Sequence, residues 1–145
     1  MYSNQVSRAK EKLKKLTWIM YHNENMGIIA NMETLTKLQK KDIKLIGKFV
    51  EVYCKGRHGK VERTSFSLPA GLGERWLCPE CSVFMHYAVT RRIKCPLEAE
   101  KPSCKHCRTH CYNKANLVKV KEIMAYSGMK LMLRGRLDYI WHYFF

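Results

Sequence analysis

The chain carries a dense group of side chains of the types that can bind metal ions. Its eight members, seven thiols and one imidazole, are Cys54, His58, Cys78, Cys81, Cys95, Cys104, Cys107 and Cys111. All seven cysteines of the chain lie between Cys54 and Cys111. The two Cys-x2-Cys pairs are separated by 22 residues, which is close to the spacing of a structural zinc site. We therefore predict that bound metal organises this protein.

The expected compartment decides how these cysteines are interpreted. No stretch approaches the roughly 18 consecutive apolar residues of a membrane span, and the N-terminus lacks a signal-peptide pattern. We therefore expect a cytoplasmic protein, in which thiols rarely form permanent disulfides and more often bind metal or take part in redox chemistry. An odd number of cysteines also leaves one over from any set of disulfides, whereas His58 completes two sets of four.

The eight ligands divide most simply in chain order. The first set is Cys54, His58, Cys78 and Cys81, a Cys3His combination typical of closed tetrahedral zinc sites. The second set is Cys95, Cys104, Cys107 and Cys111, and four thiolates accept either zinc or an iron-sulfur cluster. A rival division joins the two Cys-x2-Cys pairs into a zinc ribbon and leaves Cys54, Cys95 and Cys111 as free or second-site thiols. We expect His106 and His110, which lie beside ligands, to remain outside the coordination sphere.

The elements that must position these ligands are mainly helical. Apolar periodicity predicts a helix over about 34–54, with Cys54 in its last turn and His58 just beyond it. The stretch 60–76 is expected to be a loop with a short strand near its start. A third helix follows the Cys78–Cys81 knuckle with Ser82 as a possible cap, and another begins near Asn116. The predicted fold class is a small, mainly α domain stapled by Cys/His metal sites, with irregular Cys-rich loops.

The domain organisation separates an N-terminal arm from this domain. Residues 1–33 have a helical apolar stripe and a run of lysines toward solvent, so we predict a basic helical arm. Met32 offers an alternative start, which makes the arm a candidate for a dispensable segment. Residues 34–145 are expected to form the Cys-rich metal-binding helical domain.

The formal net charge of +15 points to anionic partners. A nucleic acid bound through the basic surface is one possibility, and a solvated, solubilising surface is the simpler alternative. No paired carboxylates, Ser/His/Asp arrangement or phosphate-binding glycine loop identifies a small-molecule substrate or a conventional hydrolase. Glu80 and Glu98 lie near ligands, and we expect both to be surface residues.

The ordered Cys/His framework also resembles a known family. The matching motifs are Tyr53-Cys54, His58, Leu77-Cys78-x2-Cys81, Tyr87-Ala88, Arg92-x2-Cys95-Pro96, Lys101-Pro102-x-Cys104-x2-Cys107-x2-His110-Cys111-Tyr112 and Ile123-Met124-x-Tyr126-Ser127-Gly128. In these positions the chain resembles the nitrous oxide-stimulated promoter family of small bacterial proteins, over roughly 100 residues from Lys41 to His142. The resemblance implies an association with genes induced by reactive nitrogen species.

Three functions follow as hypotheses. The first is a cytoplasmic zinc or iron-sulfur protein of the nitric oxide stress response, with a sensory or protective role, because thiolates and clusters react with nitrogen oxides. The second is a zinc-stapled basic protein that binds RNA or DNA. The third is a thiol- or cluster-dependent enzyme, for which Cys95 or Cys111 would supply the reactive thiol under the rival division of ligands.

Overall fold

Helix α1, Lys37–Arg57, is the element on which the others pack. The structure, a computed structural model, describes residues 35–97, 107 and 111–138. Thr36 caps the first turn: its hydroxyl accepts a hydrogen bond from the Gln39 amide, and the Gln39 side chain accepts one from the Thr36 amide. This capping box satisfies two amides that have no partner within the helix. The helix predicted over about 34–54 is confirmed, and it continues through Gly56 for one further turn.

A β-hairpin follows α1. Strands β1, Thr64–Ser67, and β2, Glu74–Leu77, pair antiparallel. Gly71 and Gly73 have φ angles of 65° and 101° in the connection, a backbone conformation that glycine adopts without steric cost. The expectation of a loop over 60–76 was wrong for β2, because a four-residue strand of mixed polarity offers too little alternation to be recognised. The hairpin matters for the site because β2 leads directly into Cys78.

Two further helices complete the described residues. Helix α2, Pro79–Ile93, begins with proline at its first position, where the missing N–H costs no hydrogen bond. Its cap is Cys78, so the expectation that Ser82 caps this helix was wrong. Helix α3, Lys114–Leu133, is capped by Asn113, whose side chain accepts a hydrogen bond from the Asn116 amide at 2.8 Å.

The core lies where α1 contacts α2, α3 and β2. The largest side chains that are completely buried include Ile43, Leu77, Met85 and Ile123, one from each of these elements. Small residues bring α3 close to α1. The hydroxyl of Ser127 donates to the Phe49 carbonyl at 2.7 Å, and a Cβ at Gly56 would meet the Tyr126 side chain.

The predicted fold class is confirmed: the described part of the chain is mostly helical, with a small two-stranded sheet and a Cys/His group. None of the helices within that part has both the length and the apolar character needed to cross a bilayer. The predicted arm, residues 1–33, and the aromatic end of the chain, 139–145, lie outside the described residues.

Candidate metal centre

The first two candidate ligands come from the C-terminal end of α1. Cys54 lies in the last turn, and His58 is the residue that ends the helix, with its amide donating to the Cys54 carbonyl at 2.9 Å. Residues four apart in a helix lie on the same side, so the thiol and the imidazole face the same space. The sequence prediction placed both side chains at this helix end.

The other two candidate ligands come from the turn between β2 and α2. The Cys78 amide donates to Cys54 Sγ at 3.2 Å, and the Cys81 amide donates to Cys78 Sγ at 3.5 Å. Both sulfurs therefore lie at backbone N–H groups at the positive end of α2, an environment that stabilises a thiolate. The tight turn is possible because Pro79 starts the helix immediately after Cys78.

The four donor atoms form one compact group. Sγ of the three cysteines and a ring nitrogen of His58 all lie within 4.8 Å of one another. His58 Nδ1 is 3.2 Å from Cys78 Sγ and 3.3 Å from Cys81 Sγ. A tetrahedral zinc ion with ordinary bond lengths separates a sulfur and a nitrogen ligand by about 3.6 Å. The donor types and spacings therefore fit one ion.

Burial shapes the electrostatics of this group. Cys54 and Cys81 have no exposed surface and Cys78 has 2%, whereas the His58 side chain retains 19%. Burial raises the pKa of the Cys54 thiol, and burial together with the charge of Cys54 raises the pKa of Cys81. Without a cation these two thiols therefore stay protonated at neutral pH. A bound divalent ion reverses the preference because it neutralises the thiolates directly.

The second predicted set is only partly described. Cys95 is buried just after α2, Cys107 is half-buried and Cys111 is exposed, while Cys104, His106 and His110 lie outside the described residues. Its ability to bind metal therefore stays a prediction.

For the first set, the structure surrounds Cys78 and Cys81 with Cys54 and His58. This arrangement favours the division of ligands in chain order over the zinc ribbon.

Three side chains next to the group were not identified from the sequence as part of a site. Glu80, inside the knuckle, places Oε2 3.9 Å from His58 Nε2. Lys119 of α3 lies 2.7 Å from Glu80 Oε1 and 3.3 Å from the Tyr53 hydroxyl. The Lys119 hydrogen bond lowers the pKa of Glu80, so this carboxylate is ionised at neutral pH. Its position between two ligand cysteines was the available signal, although its side chain is largely exposed, as predicted.

The described fold and site define a mainly helical protein with a Cys3His group that could hold a metal ion. The sequence profile of the family described as nitrous oxide-stimulated promoter matches residues 37–144. The chain therefore belongs to this family, as the motifs predicted.

A curated relative supports the same assignment. The uncharacterized protein YgbA of Escherichia coli (strain K12) is 36% identical over 64 residues, which cover 39% of this chain and 55% of the relative. The chain thus matches about half the length of that relative. No solved structure matches the chain.

The raised thiol pKa values predict that metal binding depends steeply on pH. Cys54 and Cys81 must each lose a proton to bind as thiolates, so zinc binding near pH 7 should release at least two protons. The association constant should then rise by about 100-fold or more for each pH unit between pH 6 and 8. Calorimetric titration in buffers of different ionisation enthalpy measures the release directly. Binding without proton release would contradict coordination by these thiols.

Proposed function

We propose that the chain is a zinc protein of the bacterial response to reactive nitrogen species, and that its Cys3His centre holds the fold together. The observation that carries the metal assignment is the convergence of Cys54, His58, Cys78 and Cys81 within 4.8 Å. These ligands belong to separate elements, so one ion would join the end of α1 to the β2–α2 turn. In small proteins the free energy of such binding becomes free energy of folding.

The geometry favours a single zinc ion over an iron-sulfur cluster in this set. In a cubane cluster each protein ligand binds a different iron, which holds the ligands further apart than the ligands of one ion. Mutual distances within 4.8 Å suit one tetrahedral centre. Four protein ligands also leave no open position for a substrate, which supports a structural role over a catalytic one. The second predicted set, with four cysteines, could still accept either zinc or a cluster.

The family supports the connection to nitrogen oxides, and thiolate chemistry supplies a mechanism. A thiolate sulfur can attack the nitroso nitrogen of an S-nitrosothiol, forming a new S–N bond while the original thiolate leaves. The resulting S-nitroso sulfur is neutral, so it binds zinc poorly and the ion is released. The sulfurs of Cys54 and Cys81 are completely buried, however. We therefore infer that this reaction requires the fold to open first.

Substitution of one ligand tests the zinc assignment. Cys81→Ser should reduce the zinc content by one ion per chain and lower the free energy of unfolding by at least about 3 kcal/mol in the presence of zinc, because three ligands remain around an incomplete centre. Elemental analysis and thermal unfolding measure the two effects. Ser82→Ala, in the same turn, is the matched control and should retain the ion. Wild-type protein purified anaerobically with iron and sulfide but no zinc would contradict the assignment.

Reaction with S-nitrosoglutathione tests whether opening of the fold controls release of the ion. Ile43→Val removes one buried methyl group far along α1 from the ligands, which should cost about 1 kcal/mol and make the open state about fivefold more populated. Zinc release, followed with a chromophoric chelator, should accelerate by a similar factor. Equal rates in wild type and variant would show direct attack on the folded centre, as a sensor requires.

A specific surface feature favours nucleic-acid binding as a second candidate function. Trp76 on β2 is 56% exposed and lines a groove of about 460 Å³. The remaining lining residues are Lys55, Val61, Glu62 and Arg63. An exposed aromatic side chain flanked by cations can stack on a base while the cations contact phosphates. The groove holds two of the chain's basic side chains, Lys55 and Arg63, beside one acidic side chain, Glu62.

A labelled single-stranded RNA octamer tests this second function. Trp76→Ala should weaken binding by about 10-fold or more, because stacking on an aromatic ring is worth about 1–3 kcal/mol per base. Affinity should also fall as salt rises, since phosphate contacts release counterions. Val83→Ala removes another exposed apolar side chain and is the control. If fluorescence anisotropy gives equal affinities for the two variants, Trp76 does not contribute to binding of this RNA.

A further inference from the structure

The face of the His58 ring that points away from the cysteines meets a charged side chain. Nδ1 faces the sulfurs of Cys78 and Cys81, so Nε2 faces outward, where Glu80 Oε2 lies 3.9 Å away. An imidazole that binds metal through one nitrogen carries its proton on the other, and that N–H usually donates to a carboxylate or a carbonyl. Glu80 is the carboxylate in this position, and its place in the knuckle ties it to the same turn as two ligands.

Helix α3 holds this carboxylate in place. Lys119 Nζ lies 2.7 Å from Glu80 Oε1, 3.3 Å from the Tyr53 hydroxyl and 5.0 Å from the centroid of the Tyr53 ring. The Tyr53 hydroxyl in turn donates to Glu122 Oε1 at 2.6 Å, and its ring packs edge-on against the His58 ring with centroids 5.6 Å apart. Two turns of α3 therefore contact the surroundings of one ligand.

We propose that Glu80 is an outer-sphere partner of the metal centre, positioned by Lys119, and that through this pair metal binding and the docking of α3 stabilise each other. The inference rests on the proposed zinc site and adds its regulation. An ion held on Nδ1 would make the Nε2–H a better donor and would strengthen its attraction to Glu80. The carboxylate in turn makes His58 a stronger ligand. Binding equilibria are reciprocal. The free energy by which docked α3 stabilises bound zinc therefore equals the free energy by which zinc stabilises the docking of α3.

An ordinary surface ion pair is the alternative explanation, and the surroundings distinguish the two. The Glu80 side chain is 63% exposed, and exposed pairs contribute little. Lys119, by contrast, is only 24% exposed and has three neighbours in one cluster, the carboxylate, the hydroxyl and the aromatic face. A solvent-exposed ion pair with no link to the metal centre would not change the affinity of the centre for its ion. Retention of zinc is therefore the decisive quantity.

The first experiment measures zinc transfer from the loaded full-length chain to an excess of chelator. Glu80→Ala should release zinc about 10–100-fold faster than wild type, the usual effect of losing an outer-sphere partner. Glu80→Gln should show a smaller acceleration, because its amide oxygen keeps an uncharged acceptor close to His58 Nε2. Lys119→Met should also release zinc faster. Glu74→Ala and Lys121→Met, exposed residues of the same charge types, are the controls and should match wild type.

The second experiment measures amide hydrogen exchange in α3 with and without zinc. In wild type, removal of zinc should speed exchange in residues 114–133, and in Lys119→Met this difference should shrink because the link is missing. The coupling would be overturned if Glu80→Ala released zinc at the wild-type rate, or if the exchange rates in α3 were the same with and without zinc. If Glu80→Ala fails to fold, Glu80→Gln and Lys119→Met decide the matter. A wild-type chain that binds no zinc would instead refute the proposed function.

Discussion

Three thiols and one imidazole meet in a buried space where α1, β2 and α2 join. The cost of placing thiolate charge in this buried space constrains the rest of the fold. Cys54 and Cys81 are completely buried, and their pKa values are raised by burial. Backbone amides of Cys78 and Cys81 nevertheless point at sulfur atoms, an arrangement suited to thiolates. A bound cation would resolve this conflict, since it would supply the electrostatic stabilisation that water gives to an exposed thiolate.

The surrounding elements are arranged around this junction. Helix α1 places two candidate ligands at its C-terminal end, and the hairpin returns the chain so that β2 leads to two more at the start of α2. Helix α3 contributes no ligand within the described residues, yet it reaches the site through Lys119 and packs on α1 through Ser127. The site is thus closed on the sulfur side and bordered by charged side chains on the imidazole side. This asymmetry agrees with the structural role proposed for the centre and with the effect proposed for Glu80 and Lys119.

This arrangement also affects how a nitrosative-stress role would operate. With zinc bound as proposed, the buried thiolates would be protected in the folded state, so their reactivity would depend on how often the protein opens. The free energy of unfolding would then also set the rate at which the centre reacts with nitrogen oxides. The coupling proposed for Glu80 and Lys119 would place α3 in the same equilibrium, and a change at the centre would alter a helix whose outer side bears exposed apolar residues such as Met129 and Leu133.

The sequence by itself determined the candidate ligand types, the family and the helix that ends at Cys54 and His58, because these depend on local spacing. Periodic apolar positions fix a helix face, and an i, i+4 pair at a helix end needs no distant information. Only the tertiary structure decided which cysteines share a centre, because that depends on how β2 brings Cys78 back to Cys54. Likewise Glu80 appears in the sequence as one more surface carboxylate. Its contact with Lys119, 39 residues away, exists only once α3 has packed against α1.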